Sequence, residues 1–306
     1  MSECMFNKTA FIGLGLIGAS LASAMQKHQL TRQIVACDAR LDTLKTATDT
    51  GLISHSSDKL IDILSDCDLV VICVPVQSVL GVFESLAYAK QHGILPKNAI
   101  ITDVCSTKTS VIQACQATEK AFGVCLNFVP AHPIAGAEKS GILAKNPDLF
   151  VAHEVIICQN STTENTDKIA KLWQNIGAVV SQMTAQKHDE ILSLTSHLPH
   201  LLSYALTFQL AKDDENLNIF RYAAGGFRDF SRISASSPIM WHDIFLANKD
   251  AVLQGLENYQ AILNQLKTDI ENDNSENLLN TFETAKNARE YFGELLAEKQ
   301  NNKKNI

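Results

Sequence analysis

A glycine-rich loop near the N-terminus constrains the fold of this chain more than any other feature. Gly13-Leu14-Gly15-Leu16-Ile17-Gly18 follows a short apolar run typical of a β-strand and opens a helical pattern. Glycines at this spacing let a strand turn sharply into a helix and expose the first helix amides to a diphosphate. The sequence therefore predicts a dinucleotide site, with a tight strand-helix turn that binds no ligand as the simpler alternative.

An acidic residue follows this loop at the spacing expected for a dinucleotide site. Asp38 ends the next predicted strand, about 20 residues beyond Gly18. A carboxylate here accepts hydrogen bonds from the ribose hydroxyls of NAD and repels the 2′-phosphate of NADP, whereas Arg40 would favour a phosphate. We therefore predict NAD as the cofactor. The predicted cofactor-binding residues are Gly13, Gly15, Leu16, Ile17, Gly18, Asp38, Arg40, Val74 and Pro75.

The first part of the chain alternates short apolar runs with helical patterns, which indicates a parallel sheet flanked by helices. The predicted strands are Thr9–Gly13, Gln33–Asp38, Leu69–Val74, Ala99–Asp103, Asn127–Ala131, Glu154–Cys158 and Val179–Met183, with a weaker one near Ile53. Their continuous apolarity predicts burial on both faces. We predict an α/β domain over residues 1–184, a Rossmann-like doubly wound sheet that binds the dinucleotide.

The remainder of the chain, residues 185–306, has helical periodicity. The segment Leu198–Leu210 is apolar nearly all round, which predicts a buried helix. Two amphipathic segments follow, and their apolar faces could pack within one chain or against a second copy. The sequence predicts an all-α C-terminal domain and favours a homodimer.

Composition excludes several classes of function. The formal net charge is −7, so no general positive field attracts nucleic acid or an anionic membrane. No apolar run approaches the roughly 20 residues of a membrane-spanning helix, and the N-terminus lacks the pattern of a signal peptide. The eight cysteines include no CxxC pair and are expected to be reduced thiols. These features together predict a cytoplasmic protein.

Two polar clusters follow predicted strands, where ligands of doubly wound folds bind. Ser106 lies in the first, Asp103-Val104-Cys105-Ser106-Thr107-Lys108, and its alternative role is that of a helix N-cap. His132 lies in the second, a predicted loop between Pro130 and Gly141. Alcohol oxidation requires a group that takes the hydroxyl proton, and a histidine suits this task near neutral pH. A purely structural histidine is the alternative.

A third cluster lies in the helical part of the chain. His197 and His200 are three residues apart and share a helix face, although Pro199 disturbs the helix. We reject a metal site because no HExxH pattern or cysteine pair supplies further ligands. Arg228 and Arg232, four residues apart, would form a fork for carboxylates on a helix. The alternative is a solvated charged face that includes Asp229.

These motifs together resemble the prephenate/arogenate (cyclohexadienyl) dehydrogenase family of tyrosine biosynthesis. The resemblance covers nearly the whole chain and is carried, in family order, by the glycine loop, His132-Pro133-Ile134-Ala135-Gly136, Ser196-His197-Leu198-Pro199-His200, Gly225-Gly226-Phe227-Arg228-Asp229-Phe230-Ser231-Arg232 and Pro238-Ile239-Met240-Trp241. It implies a helical dimerisation domain and an active site in a cleft between two domains. It also implies NAD-dependent oxidative decarboxylation of prephenate to 4-hydroxyphenylpyruvate, with arogenate, which gives tyrosine, as a second substrate.

The resemblance assigns roles to individual residues. His132 would accept the proton of the C4 hydroxyl and Ser106 would orient it, while Arg232 would bind the ring carboxylate. The remaining residues expected around the substrate are Ser196, His197, His200, Arg228, Trp241, Ala137 and Glu138. Trp241 would approach from a partner subunit, and tyrosine would act as a feedback inhibitor.

The chain departs from the family pattern at two positions. Cys105 stands where glycine is common, and Ala137 stands where serine or threonine is frequent. The second departure bears on the choice between prephenate and arogenate, as does Arg228, where lysine is also found. Two other hypotheses stay open: an arogenate-preferring dehydrogenase and a non-catalytic NAD(H)-binding sensor.

Overall fold

The computed structural model describes residues 4–136 and 140–304. The chain divides into two units. One runs to Ile191 and includes Ser236–Asn248, and the other comprises Leu192–Ala235 and the chain from Lys249. The boundary near residue 184 stays a prediction. Within the described residues, no helix has the length and apolarity needed to cross a membrane.

A six-stranded parallel sheet forms the centre of the first unit, in the order β3-β2-β1-β4-β5-β6. The strands are β1 (Phe6–Ile12), β2 (Thr31–Cys37), β3 (His55–Ser57), β4 (Leu69–Ile72), β5 (Ile100–Asp103) and β6 (Phe128–Val129). The crossover helices are α1 (Leu16–Lys27), α2 (Leu41–Asp49), α3 (Val79–Gln91) and α4 (Thr109–Phe122), with 3₁₀ turns at Leu60–Ile63 and Val76–Ser78. This order confirms the predicted Rossmann-like fold class.

A second, three-stranded sheet corrects part of the strand prediction. It consists of β7 (Ala131–Pro133), β8 (Glu154–Cys158) and β9 (Val179–Met183), in that order, with β7 antiparallel to β8. The single strand predicted over Asn127–Ala131 was wrong, because Pro130 has no N–H for a ladder and separates β6 from β7. The burial predicted for both faces also fails at β9, where Val179 is exposed.

The two sheets of the first unit share one apolar core. Phe11 of β1, Val71 of β4, Val155 of β8 and Trp173 are all buried in it. Trp173 lies on α5 (Thr163–Asn175), which connects β8 to β9, and its ring packs edge-on against Phe150 with the centroids 5.2 Å apart. A short 3₁₀ turn, Ile142–Ala144, lies between β7 and β8 in the sequence. The second sheet is therefore a continuation of the same domain, and it carries His132 on its edge strand β7.

The later part of the chain is helical, as predicted. Its elements are α6 (Ala185–Leu192), a π-helical turn (Ser193–His197), α7 (Leu198–Leu217), α8 (Ile219–Tyr222), α9 (Gly225–Ser231), a 3₁₀ turn (Arg232–Ala235), α10 (Pro238–Ala247), α11 (Lys249–Glu271) and α12 (Ser275–Lys304). The π turn precedes Pro199, which has no N–H to donate to the carbonyl four residues earlier, so the helix widens there. The prediction that Leu198–Leu210 is buried was wrong for the single chain, because Phe208 is 63% exposed.

Candidate active site

The glycine loop forms the turn between β1 and α1, and its three glycines occupy three different surroundings. Gly13 has a φ of 93°, and a Cβ there would lie 2.5 Å from the carbonyl oxygen of Cys73. A Cβ on Gly18 would collide with the carbonyl oxygen of Gly13 and lie 3.0 Å from the Cβ of Cys73. A Cβ on Gly15 would meet nothing within 4 Å. Gly13 and Gly18 therefore allow the turn to pack, whereas Gly15 leaves open space beside the helix start.

That open space fits a dinucleotide diphosphate. Gly15 is the N-cap of α1, so the amides of Leu16, Ile17 and Gly18 begin the helix and have no intrahelical acceptor. Such amides attract anions together with the helix dipole. Leu16 and Ile17 also pack their side chains against the core, which holds the helix start in place.

We expect Gly15 and Gly18 to respond differently to substitution by alanine. Gly15→Ala would place a methyl group in the open space and cost about 1–3 kcal/mol of NAD binding free energy, with little change in stability. Gly18→Ala would instead strain the packed turn and lower the free energy of unfolding by about 1–3 kcal/mol. Calorimetric NAD titration and urea unfolding of both variants measure the two effects. Unchanged NAD affinity in Gly15→Ala would contradict a diphosphate at this position.

Asp38 lies directly beyond β2, where its carboxylate is 8% exposed and holds the glycine loop. Its Oδ2 accepts a hydrogen bond from the Leu14 amide at 2.8 Å, and its Oδ1 accepts one from the Arg40 amide at 2.9 Å. The Arg40 guanidinium also approaches Oδ1, with Nε at 3.5 Å. The carboxylate therefore supports the loop backbone and offsets the arginine charge that would favour a 2′-phosphate.

We expect Asp38→Ser to move cofactor preference towards NADP, because the substitution removes a negative charge and leaves Arg40 without its counter-ion. Each 1.4 kcal/mol of lost repulsion changes the ratio of the NAD and NADP dissociation constants about tenfold. Asp38→Asn is the matched control for the loop, since its amide oxygen still accepts from the Leu14 amide. Titration of both variants with NAD and NADP measures the shift, and an unchanged ratio in Asp38→Ser would rule out the ribose role.

The cluster that contains Ser106 is anchored by a buried ion pair. Asp103 ends β5, and its Oδ2 lies 2.5 Å from the Lys108 Nζ, with both side chains fully buried. The same carboxylate accepts hydrogen bonds from the amides of Cys105 and Ala131 at 3.0 Å each. Asp103 therefore connects the Ser106 loop to β7, the strand of His132.

The substitution of cysteine for glycine at position 105 is accommodated in this loop. Cys105 does not adopt a positive φ, so its backbone needs no glycine. Its thiol is buried against the carbonyl oxygen of Val74, with the sulfur 3.8 Å away, and burial raises the pKa of the thiol well above its usual value. The loop therefore packs against the end of β4, where Val74 and Pro75 precede the 3₁₀ turn Val76–Ser78.

Ser106 itself is half-buried. Within the part of the chain that the structure describes, its hydroxyl makes no hydrogen bond, and the N-cap of α4 is Lys108 rather than Ser106. The N-cap alternative was therefore wrong. Its role in orienting His132 stays a prediction.

His132 lies in β7 rather than in the predicted loop, and its ring contacts a second histidine. Its Nδ1 lies 2.8 Å from the Nε2 of His188 on α6. The Nδ1 of His188 lies 2.8 Å from the Oδ1 of Asp189. Asp189 in turn accepts hydrogen bonds from the amides of Lys108 and Thr109, at 2.9 and 2.8 Å. A continuous chain of hydrogen bonds thus runs from the start of α4 to His132.

Local sequence patterns do not indicate His188 or Asp189 as site residues. Adjacent histidine and aspartate on an amphipathic helix are more often a solvated face, and nothing in their spacing indicates β7 as the partner. The one available signal is Thr184, whose hydroxyl accepts from the Lys187 amide at 3.2 Å and fixes where α6 begins. That start directs His188 and Asp189 inward, where both are buried.

In the second unit, His197, His200 and Arg232 are grouped around the π turn. His197 is buried, and the Nδ1 of His200 donates to the Ser196 carbonyl at 2.8 Å. Burial lowers the pKa of His200, and the charge of Arg232 lowers it further, against the opposing effect of the Ser196 carbonyl. His200 is therefore a neutral hydrogen-bonding side chain close to a cation.

The predicted fork of Arg228 and Arg232 stays a prediction, and Arg228 is exposed in the single chain. Arg228 lies on α9 with its side chain 79% exposed, and its Nε donates to Asp229 at 3.2 Å. Arg232 begins the 3₁₀ turn that follows α9. The arrangement matches the charged-face alternative for Arg228, and its contact with substrate stays a prediction.

The remaining predicted substrate residues lie elsewhere. Trp241 is 5% exposed on α10, within the first unit, and its ring packs against Phe245 with the centroids 5.5 Å apart. The approach of Trp241 to a partner subunit remains a prediction, and the single chain buries this ring. Ala137 and Glu138 lie outside the described residues. No cluster that could hold a metal ion occurs among the residues that are described.

Comparison with known proteins gives the family. The family profile described as "Prephenate dehydrogenase, nucleotide-binding domain" matches residues 21–182, and that described as "Prephenate dehydrogenase, dimerization domain" matches residues 184–284. The cyclohexadienyl dehydrogenase of Zymomonas mobilis is 35% identical over 93% of this chain and 96% of its own. The prephenate dehydrogenase of Bacillus subtilis is 34% identical over 91% of this chain and 74% of its own.

A solved structure extends the likeness to three dimensions. The prephenate dehydrogenase of A. aeolicus, in complex with hydroxyphenyl propionate and NAD⁺, matches 94% of this chain and 99% of its own with a TM-score of 0.85 and 30% identity. The resemblance predicted from the motifs is thereby confirmed: the chain belongs to the prephenate dehydrogenase family.

Proposed function

We propose that this protein is an NAD-dependent prephenate dehydrogenase that also accepts arogenate. The observation that carries the proposal is His132, whose Nδ1 is bonded to His188, in a domain whose glycine loop and Asp38 fit NAD. The family relation supports the reaction class, an NAD-dependent oxidation with loss of CO₂. A site with only nucleotide-binding features would not need a half-buried histidine that is hydrogen-bonded to a second, fully buried histidine.

In the proposed reaction, bound NAD supplies the hydride acceptor. His132 takes the proton of the C4 hydroxyl through Nε2 while the C4 hydride departs, because Nδ1 is engaged with His188. The ring carboxylate then leaves as CO₂, and the electrons of the broken C–C bond complete the aromatic ring and leave a phenolate oxygen on C4. The His132 imidazolium returns its proton to this oxygen, which restores the neutral base. The products are 4-hydroxyphenylpyruvate from prephenate and tyrosine from arogenate.

Arg232 is proposed to bind the ring carboxylate, with Ser196, His197, His200 and Arg228 as further substrate contacts. We expect Arg232→Ala to raise the substrate KM about 10- to 150-fold, because a charge-assisted hydrogen bond is worth about 1.5–3 kcal/mol. Arg221→Ala is the matched control, since the contact of the Arg221 side chain within the described residues is with the exposed ring of Tyr222, 6.0 Å from the guanidinium carbon. An unchanged KM in Arg232→Ala would remove this arginine from the binding site.

We propose that two copies associate through the helical unit. Several large apolar side chains of α7, α11 and α12 are exposed in the single chain: Leu206, Phe208, Ile262, Leu263, Leu279, Phe282 and Tyr291. Large exposed apolar side chains in this number are typical of a surface that a partner covers, and the matching family profile describes a dimerization domain. Light scattering tests the proposal. A dimer in which Phe208→Asp shifts the mass towards that of a monomer supports it, and a wild-type monomer overturns it.

Inhibition by tyrosine and location in the cell are two further proposals, the first based on the family resemblance and the second on the cysteines. We propose inhibition by tyrosine, which the addition of tyrosine to a steady-state assay tests directly. We also propose a cytoplasmic location, because all eight cysteines are free thiols, as a reducing compartment would keep them. Fractionation of the source cells tests this second point.

Substrate preference is the remaining question within the proposed function. Ala137 offers no hydroxyl to the substrate side chain, and the arogenate-preferring enzyme is the main alternative. Steady-state kinetics with prephenate and arogenate, each with NAD and NADP, separate the alternatives through kcat/KM. A higher kcat/KM for arogenate with NAD would overturn the prephenate preference and keep the reaction class.

A further inference from the structure

His188 and Asp189 form a buried pair directly behind His132. His188 is fully buried and Asp189 is 4% exposed. His188 is hydrogen-bonded to His132 through Nε2 and to Asp189 through Nδ1, each at 2.8 Å. We propose that this pair is a positioning dyad: it fixes the tautomer of His132 and stabilises the positive charge that His132 acquires when it takes the substrate proton. The inference rests on the proposed function, in which His132 is the base.

The direction of each hydrogen bond between Asp189 and His132 follows from the backbone amides that donate to Asp189. The amides of Lys108 and Thr109 can only donate, so both Asp189 oxygens act as acceptors. The Nδ1 of His188 must therefore carry the proton that it shares with Asp189. In neutral His188 the lone pair is then on Nε2, which accepts from the Nδ1–H of His132. This leaves the lone pair of His132 on Nε2, the nitrogen that would take a substrate proton.

The charges around the dyad favour an imidazolium at His132. Burial alone would raise the pKa of Asp189, but hydrogen bonds from His188, Thr109 and Lys108 outweigh it and hold the pKa below its usual value. Asp189 is therefore a carboxylate at neutral pH. The neighbouring Lys108 is paired with Asp103, so these two charges offset each other. Burial raises the pKa of the Cys158 thiol to about 12, so this neighbour is uncharged.

The arrangement resembles the division of labour in a serine protease triad, where a buried aspartate orients the catalytic histidine and stabilises its imidazolium. Here a second histidine stands between the aspartate and the base. The alternative is that Asp189 serves only as a cap for the start of α4, whose first amides it accepts. A cap alone would affect stability and would not control which nitrogen of His132 carries the proton.

Two substitutions of His188 separate these roles. His188→Leu removes the acceptor for His132 Nδ1–H, and we expect kcat to fall about 10- to 100-fold, as for other orienting partners of a functional histidine, while the substrate KM changes little. The acid limb of the kcat profile should move to lower pH, because the imidazolium of His132 loses a stabilising partner. His188→Gln keeps an amide oxygen that can accept near the position of Nε2, and should recover part of kcat.

A second readout does not depend on turnover. In protein labelled with ¹⁵N-histidine, His132 should carry its proton on Nδ1, and in His188→Leu the population should shift towards Nε2–H. Asp189→Asn should produce a similar shift if the variant folds, and the His188 variants suffice if it does not. The control is His242→Leu, which breaks a comparable neighbouring pair, His242 Nδ1 to Asp243 Oδ1 at 3.0 Å, on the exposed side of α10.

The outcomes discriminate between the inference and the proposed function. Absence of turnover on prephenate and arogenate by the wild-type protein would overturn the proposed function. The NMR measurement of which His132 nitrogen carries the proton would still test whether the dyad positions His132. His132 protonated on Nε2 in the wild type would overturn the dyad whatever the activity. Equal kcat, pH profile and tautomer in wild type and His188→Leu would also overturn it, as would loss of stability alone. The inference is supported if His188→Leu has a lower kcat and an acid limb at lower pH, and His242→Leu has neither change.

Discussion

His132→Asn is expected to lower kcat by about 10²–10⁴-fold, the loss typical of a removed general base. Asparagine keeps a polar atom near the position of Nδ1, so the contact to His188 can persist, but it has no basic nitrogen at the position of Nε2. NAD affinity should be unchanged, because no cofactor-binding feature of the glycine loop or Asp38 involves His132.

Pre-steady-state measurement of NADH formation, together with calorimetric NAD titration, tests this expectation. A loss confined to kcat assigns His132 to the proton transfer. Turnover within about threefold of wild type would show that another group takes the proton. A weakened NAD complex would instead indicate that β7 supports the cofactor site, and would make the loss of kcat ambiguous for the base role.

Lys108→Met is expected to have the largest effect on stability, because it leaves Asp103 charged and fully buried. Removal of one partner from a buried ion pair costs about 3–5 kcal/mol. The matched control is Lys27→Met. Lys27 and Asp148 are also 2.5 Å apart, but both side chains are about half exposed, so the loss should be at most about 1 kcal/mol.

Urea unfolding of the two variants measures both values. Replacement of both buried partners by apolar residues should not restore stability, because the amides of Cys105 and Ala131 would lose the acceptor that Asp103 provides. Asp103→Asn in the Lys108→Met background keeps an acceptor and should recover part of the loss. Equal losses in Lys108→Met and Lys27→Met would mean that the buried pair contributes no more than a surface pair.

The dinucleotide half of the fold could be predicted because its signals are local. A strand, three spaced glycines and a helix are contiguous in sequence, and Asp38 follows at the end of the next strand. The structure adds contacts that local patterns do not contain: Asp38 accepts from the Leu14 amide, and Gly18 packs against Cys73, the residue directly after the neighbouring strand β4. These contacts depend on strand order, which a single sequence does not specify.

Long-range pairing explains the main errors. The apolarity of Val179–Met183 favoured the central sheet, but this strand pairs with β8 of the second sheet, and Val179 and Gln182 are exposed. The division of the strand predicted over Asn127–Ala131 does have a local signal, because Pro130 cannot donate to a strand ladder. His188 meets His132 across 56 positions of sequence, so neither residue predicts the other. The apolar surface of α7 is a different case, because the single chain lacks the second copy that is proposed to cover it.

Product stoichiometry with purified protein, NAD and prephenate shows directly whether the protein oxidises and decarboxylates prephenate. We expect one NADH and one CO₂ for each 4-hydroxyphenylpyruvate formed, with no NADH when prephenate is omitted. NAD binding without any NADH formed from either prephenate or arogenate would contradict the account and identify the protein as a nucleotide-binding sensor.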